Sequence, residues 1–379
     1  MKLAWFRPDE PSLPPLLDDS AALVAELRST HEIELFSAAN AHDFTARHAR
    51  APYDLSVYEL GDTAAHAFIW PYLLHYGGVL QLRTLSLHQS RATALFGAER
   101  AQDYAAEFRF SHGAWPGQPP VAPPAYPGDW PMLRVPVLAA RLVVVSQSSA
   151  AGQLLRAHPE ARVRVAQTGV VAATDSPPRH TDAPTAPGSP EAPVTFGAIS
   201  DGRLDVVHRA IARARDAGAH AALMEGAPER VLKEADVVVA LHWPPQGNPQ
   251  VLPLAAMAAG KPVIVFESAA NAGWPALDPQ TWQPRGRASD RPIAVSIDPR
   301  DEEHSLVLAI RRLSAEAALR GQLGQAARNW WHAHATPQHA SQDWQRILEE
   351  AAQCAALSHP PAWPAHLRTG DIAREFGSP

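Results

Sequence analysis

The chain has 379 residues, of which 46% are hydrophobic, so it is long enough to build two domains with substantial cores. Its net charge of −6 argues against nucleic acid or an anionic bilayer as the main partner. Its single cysteine, Cys354, excludes an internal disulfide and a cysteine-based metal cluster, and it fits a reducing compartment.

Targeting signals are not apparent. The opening residues, MKLAWFRPDEPSLPP, lack the apolar core of a signal peptide, and no run approaches the roughly 18 apolar residues of a membrane-spanning helix. We therefore expect a cytoplasmic protein, and peripheral attachment to the inner membrane surface stays open.

Strand and helix patterns alternate through residues 1–172. Strands are predicted at KLAWF, EIELFS, YDLSVYELG, GVLQL, LVVV and VRV. Helices are predicted in DDSAALVAELRSTH, in HAFIWPYLLHY, in the polar stretch HQSRATALFGAERAQDYAAEFRF and in SSAAGQLLRAH. Alternation of this kind predicts a parallel sheet covered by helices.

Residues 173–192 are rich in Pro, Ser, Thr and Ala, have no apolar period, and predict a flexible linker. The alternation then resumes, with strands predicted at VTFGAIS, HAALMEG, ADVVVAL and PVIVFE. We expect a second domain at 193–340, and a terminal helix and tail at 341–379 that packs back on the first domain.

The predicted architecture is thus two Rossmann-like, doubly wound α/β domains that face each other across a cleft. Ligands of open α/β sheets bind beyond the carboxyl ends of the strands. This fold class alone fits glycosyltransferases, epimerases and periplasmic binding proteins equally well.

Several segments resemble the family 4 glycosyltransferases, which have the GT-B fold. The resemblance runs over most of the chain and rests on LVVVSQSSAAGQLLRAHPEARVRVAQTGV, on VTFGAIS followed by Arg203, on EADVVVALHWP and on LAAMAAGKPVIV. A narrower bacterial subgroup is similar in YELGDTAAHAFIWPYLLHYGGVLQL, LHQSRA, DYAAEFRF, LDPQTW and VSIDPRDEEHSL.

The resemblance implies transfer of a hexose-like sugar from a nucleoside diphosphate sugar to a glycan, lipid-linked or protein acceptor, with no cofactor besides this substrate. It implies a donor site that contains Gly197, Arg203, His242, Asn248, Gln250 and Lys261. On residue type alone, Arg203 also suits an exposed surface, and Lys261, in a turn from helix to strand, suits a solvated position better.

The acceptor side is expected to contain Asp62, His66, His88 and Arg91, and the candidates for catalysis are Asn248, His88 and Arg83. A histidine on a helix is more often packed or solvated than bound to a ligand. The 18 histidines do not occur with carboxylates at ligand spacing, so no metal site is predicted.

The sequence departs from the family pattern in three places. RPDEPSLPPLLDDS contains no glycine where the family has a Gly-rich loop, and Arg83 and Thr84 stand where it has a His-Asp pair. Gly247 and Ala255, or in another register Asn248 and Ala256, replace two glutamates, although the Asn248 amide can still hydrogen-bond a sugar hydroxyl.

An alternative hypothesis follows from these departures. The chain is then a catalytically degenerate glycosyltransferase homologue that acts as a ligand-binding module or as the interaction partner of an active glycosyltransferase.

Overall fold

The computed structural model describes residues 1–9, 17–113, 130–172, 192–198, 203–242, 251–269, 271–285, 291–355 and 363–368. Within these ranges the chain forms two parallel-dominated sheets with helices between their strands, so the predicted α/β fold class is confirmed. The first sheet precedes residue 172 and the second follows residue 192. The predicted linker lies, apart from Ala192, outside the described residues, and the exact domain boundaries stay predictions.

The first sheet has the strand order β2-β1-β3-β4-β5-β6 with parallel pairing. Its strands are β1 (Lys2–Phe6), β2 (Glu32–Phe36), β3 (Leu55–Leu60), β4 (Val79–Leu82), β5 (Leu142–Val145) and β6 (Val163–Val165). The accompanying helices are α1 (Asp19–Leu27), α2 (Asp43–Arg50), α3 (Trp70–Tyr76), α4 (His88–Gly97), α5 (Ala101–Ser111), α6 (Arg134–Ala139) and α7 (Ser148–Ala157). Because β1 lies between β2 and β3, the order reverses there, which creates a topological switch point.

The second sheet has the order β12-β11-β13-β10-β9-β7-β8, and its β11–β12 pair is antiparallel. Its strands are β7 (Val194–Ala198), β8 (Ala221–Glu225), β9 (Val237–Ala240), β10 (Val263–Phe266), β11 (Ala276–Leu277), β12 (Pro284–Arg285) and β13 (Ala294–Ile297). The helices in this part are α8 (Leu204–Asp216), α9 (Pro228–Glu234), α10 (Val251–Ala258), α11 (Glu302–Ala315) and α12 (Ala317–His334). A second switch point lies at β7, which is flanked by β8 and β9.

The single helical stretch expected at HQSRATALFGAERAQDYAAEFRF is divided in the structure. Helix α4 ends at Gly97, and α5 begins at Ala101. Glu99 lies between them with φ of +57°, in the left-handed region that ends a helix. The stretch is therefore helical, and this turn divides it into two helices.

Helix α13 (Pro337–Gln353) follows the second sheet in sequence but packs on the first one. Trp344 is 1% exposed, and its ring lies 5.2 Å from that of Trp5 on β1. Gly169, after β6, permits the close approach, since a Cβ there would lie 2.8 Å from Pro337 Cα and Ala340 Cβ. The core of the first sheet is therefore completed by a helix from the last part of the chain.

A short helix, α14 (Ala365–Arg368), also belongs to the first sheet's core. The Trp363 ring before it is buried and meets Phe110 of α5 edge-on, with ring centres 5.7 Å apart. Residues 363–368 thus contact the same half of the molecule as α13.

Replacing the α13 anchor tests this arrangement. We expect Trp344→Ala to lower the free energy of unfolding by about 3–5 kcal/mol, because it leaves a cavity against Trp5. Urea denaturation followed by circular dichroism measures the change. The exposed Gln342 on the same helix provides the control, and Gln342→Ala should stay within about 0.5 kcal/mol of the unmodified protein. Equal effects of the two substitutions would contradict the packing role of α13.

Candidate functional site

Two arginines lie at the carboxyl edge of the first sheet and pair with the start of α1. Arg83, which follows β4, donates to both carboxylate oxygens of Asp19 at 2.6 and 3.0 Å. Arg7, which follows β1, donates to Asp18 at 2.6 Å, and Asp18 also accepts from the Ala21 amide at 2.8 Å. The predicted catalytic candidate Arg83 therefore lies at the expected edge of the sheet and holds α1 in place.

A buried carboxyl group that sequence reasoning missed lies beside these arginines. Glu59 of β3 is 4% exposed and accepts hydrogen bonds from Trp5 Nε1 and Ser20 Oγ. Burial raises the pKa of Glu59, while the charges of Arg83 and Arg7 act in the opposite direction. An acidic residue inside the apolar strand YDLSVYELG was the signal that could have revealed it.

His66 and Asp62 follow β3 at the same edge. Burial, helped by the Arg83 charge, lowers the pKa of His66 to about 4, so its imidazole is neutral at physiological pH. The ring packs against Gly61, where a Cβ would lie 2.8 Å from His66 Cε1. Asp62 accepts from the Ser90 amide and the Ser86 hydroxyl, each at 2.9 Å, and so holds the start of α4.

His88 is buried inside the first half of the molecule. Its Nδ1 lies 2.6 Å from the Trp130 carbonyl and its Nε2 lies 2.9 Å from the Tyr104 hydroxyl. A carbonyl only accepts, so Nδ1 carries the proton and Nε2 accepts from Tyr104. Burial lowers the pKa of His88, which agrees with this neutral form. Its predicted catalytic and acceptor role stays a prediction that these interior contacts do not favour.

Arg91 is also buried, at 2% exposure, and pairs with Glu107 of α5 through bonds of 2.8 and 2.5 Å. Its guanidinium lies over the Trp70 ring, and His366 contacts Glu107 at 2.9 Å. Burial alone would raise the pKa of Glu107, but the Arg91 charge and hydrogen bonds outweigh it and lower that pKa to about 2. This pair stabilises the interior, and contact of Arg91 with an acceptor stays a prediction.

The second switch point contains Gly197 and Arg203. A Cβ on Gly197 would lie 2.4 Å from Val231 Cγ1 and 2.7 Å from Ala235 Cβ, so packing of β7 against α9 requires glycine there. Arg203 immediately precedes α8, and its Nη1 donates to Glu302 Oε1 of α11 at 3.3 Å. Of the two, Arg203 is the one that offers charged donors to a ligand at this edge.

The remaining donor-side residues occupy different positions. His242 follows β9 and is exposed at the carboxyl edge. Lys261 lies between α10 and β10, which places it at the amino edge of the sheet, opposite the switch point. Asn248 and Gln250 lie outside the described residues. The donor role of all four residues stays a prediction. The position of Lys261 at the amino edge does not favour its own donor role.

Comparisons with known proteins identify the fold. No protein-family model matches the sequence, and no curated protein matches it either. The sucrose-phosphate synthase of Thermosynechococcus elongatus aligns with 92% of this chain and 98% of its own, with a TM-score of 0.57 and 13% identity. The Anabaena protein HepE in complex with UDP-glucose aligns with 92% of this chain and 100% of its own, with a TM-score of 0.51 and 11% identity. The fold is GT-B.

A third similar structure is WaaG, a glycosyltransferase involved in lipopolysaccharide biosynthesis. It aligns with 93% of this chain and 100% of its own, with a TM-score of 0.50 and 11% identity. At such low identities the likenesses establish the GT-B fold alone. Any activity must therefore be inferred from the residues of the site.

Two further properties concern the described ranges only. They contain no group of three or more His, Cys, Asp or Glu side chains that could hold a metal ion. None of their helices has both the length and the apolar character needed to cross a bilayer.

The buried pair of Arg91 and Glu107 gives a pH-dependent prediction. We expect Arg91→Met to lower the free energy of unfolding by about 3–5 kcal/mol at pH 7, because buried Glu107 loses both hydrogen bonds from Arg91 and keeps its contact with His366. Since pairing lowers the pKa of Glu107 from 4.5 to about 2, its contribution is present above the ordinary pKa and is lost as the pH falls toward 2. The difference between the two proteins should therefore narrow between pH 5 and pH 2.

Urea denaturation at pH 7, 4 and 3 measures this difference. Arg47→Met is the control, because Arg47 pairs with Glu34 and Asp43 on the surface and should contribute at most about 1 kcal/mol. A difference that stays constant with pH would contradict the assigned charge pair.

His66 provides a second titration test. Its imidazole should remain neutral until the pH falls to about 4, because burial disfavours the charged form. The free energy of unfolding should then fall as the pH is lowered from about 6.5 to 4, because His66 takes up a proton in the unfolded chain at a higher pH than in the folded protein. Two-dimensional NMR of the imidazole ring, assigned with His66→Gln, measures the titration. A midpoint above pH 6 would contradict the buried position.

Proposed function

We propose that this protein is a glycosyltransferase that binds a nucleoside diphosphate sugar at the carboxyl edge of the second sheet. The sugar is transferred to the hydroxyl of a glycan, lipid-linked or protein acceptor held at the corresponding edge of the first sheet. Membership of family 4 and a cytoplasmic location, with or without peripheral attachment to the inner membrane surface, belong to the same proposal.

The observation that carries the proposal is the position of Arg203. It stands directly before a helix of 13 residues, α8, at the point where the strand order of the second sheet reverses. A helix start offers backbone N–H groups to an anion, and a guanidinium matches the geometry of phosphate oxygens. HepE, which shares the fold, is solved with UDP-glucose bound. These facts support a diphosphate site at the start of α8.

Glu302 of α11 also supports a diphosphate site beside Arg203. Its Oε1 accepts the hydrogen bond from Arg203, which holds the guanidinium beside the start of α11 with the Arg203 side chain 32% exposed. Its Oε2 is buried and has no hydrogen-bond partner among the residues that the structure describes. A single long bond of 3.3 Å leaves Arg203 able to turn toward a phosphate while it keeps contact with Glu302.

The transfer breaks the bond between the anomeric carbon and the phosphate oxygen and forms a bond from that carbon to the acceptor oxygen. The acceptor proton is released, and the nucleoside diphosphate leaves with its negative charge. Arg203 and the first amides of α8 would stabilise that charge, so the proposed reaction needs no metal ion. On the acceptor side, neutral His66 would offer a hydrogen bond without a charge.

Nucleotide binding is the direct test. UDP-, GDP- and dTDP-sugars are added at millimolar concentration, and the melting temperature and binding heat are measured. A ligand present at 100 times its Kd should stabilise the native state by about 2.7 kcal/mol. Arg203→Ala should then weaken binding by about 1.5–3 kcal/mol, as expected for a hydrogen bond to a charged group.

The same helix supplies a matched control. Arg215 lies in the last turn of α8 and is exposed, 12 residues beyond Arg203. Arg215→Ala should leave nucleotide affinity unchanged. If no nucleotide sugar binds, the enzyme proposal fails and the degenerate homologue remains; if binding survives Arg203→Ala, Arg203 is not in the site.

A further inference from the structure

A small cavity of about 20 Å³ lies at the carboxyl edge of the first sheet. Its lining includes Asp19 and Arg83, which form the ion pair at the start of α1, and Gln81 and Ser146, which lie at the ends of β4 and β5. Trp344 of α13 forms part of its wall. A volume of this size holds about one water molecule or one hydroxyl group, and it is too small for a sugar ring.

Two polar atoms in the lining have no hydrogen-bond partner. Gln81 Oε1 and Ser146 Oγ are both buried, and neither bonds to another atom of the described residues. Gln81 pairs in register with Val144, two residues before Ser146, so both side chains lie on the same face of the sheet. Buried polar groups are nearly always hydrogen-bonded, so each of the two atoms lacks a partner that a group in the cavity could supply.

The chemistry of the lining residues determines which kind of ligand group suits the cavity. Gln81 Oε1 only accepts, so it needs a donor, whereas Ser146 Oγ can donate or accept. A phosphate or carboxylate would place more acceptors against Gln81 Oε1 and the Asp19 carboxylate. An ammonium group would bring positive charge close to Arg83. A hydroxyl group donates and accepts at once, and it is neutral.

The cavity also lies in the right place for a ligand. Thr168 and Ser146, which follow β6 and β5, belong to its lining, so it lies at the edge beyond the carboxyl ends of the strands. We propose that this cavity is a subsite that binds one hydroxyl group of a carbohydrate acceptor through Gln81 Oε1 and Ser146 Oγ. The inference rests on the proposed function and narrows its acceptor to a carbohydrate whose ring remains outside the cavity.

The test uses sugars alone. Methyl glucopyranoside, mannopyranoside and galactopyranoside are added without nucleotide, and binding is measured by saturation-transfer difference NMR up to 100 mM. We expect at least one of them to bind, and analogues that lack one hydroxyl should show which position enters the cavity. Gln81→Met, which keeps the side-chain volume and removes the acceptor atom, should weaken binding about three- to tenfold. Ser146→Ala should have a similar effect.

Gln338→Met is the matched control. Gln338 is exposed on α13 and donates to Glu26 on the surface, so its loss should leave sugar binding unchanged. The melting temperature of Gln81→Met should stay close to that of the unmodified protein, because the lost oxygen had no partner.

Two results would overturn the subsite: no sugar binds at 100 mM, or Gln81→Met binds as well as the unmodified protein. Either result would mean that the cavity holds a water molecule and binds no sugar hydroxyl. Nucleotide binding is measured in a separate experiment, so failure of the donor proposal and failure of the subsite are distinguishable.

Discussion

Reversal of the strand order at one strand of each parallel sheet is the constraint on which the rest of the structure depends. From β1 the chain goes to β2 on one side and returns to β3 on the other, and from β7 it goes to β8 on one side and returns to β9 on the other. The segments after these strands therefore separate and leave room at the edge. Arg7, Glu59 and Arg83 lie at one such edge and Arg203 at the other, although they are distant in sequence.

The regular part of this fold was predictable because strands buried on both faces appear as continuous apolar runs. Apolar runs such as KLAWF and VVVA predict buried strands, and both are strands in the structure. The hairpin of β11 and β12 was missed, since two-residue strands have no period to detect. Strand β13 was missed too, because AVSI is short and precedes an acidic stretch that indicates a helix start.

The candidate site was predictable only in part. Apolar patterns located the carboxyl edges, and therefore the region of Arg83, His66 and Arg203. They did not show which polar side chains point inward. Arg91 and His88 lie on a polar helix that reads as exposed, yet Glu107 lies 16 residues from Arg91 and His366 a further 259 residues away. Partners so far apart in the sequence are brought together only by the fold, so no local spacing of residues predicts them.

Helix α13 contributes both to the core of the first sheet and to the wall of the cavity. It closes the core beneath Trp5 and at the same time walls the cavity that contains Gln81. The edge of the first sheet is therefore complete only when a helix from beyond the second sheet has docked on it. Without α13 the first sheet would expose Trp5 and lose the wall at Trp344, so the proposed acceptor side depends on sequence from both ends of the chain. The cavity therefore cannot be assigned to the first 172 residues alone, although Asp19, Gln81, Arg83 and Ser146 all come from them.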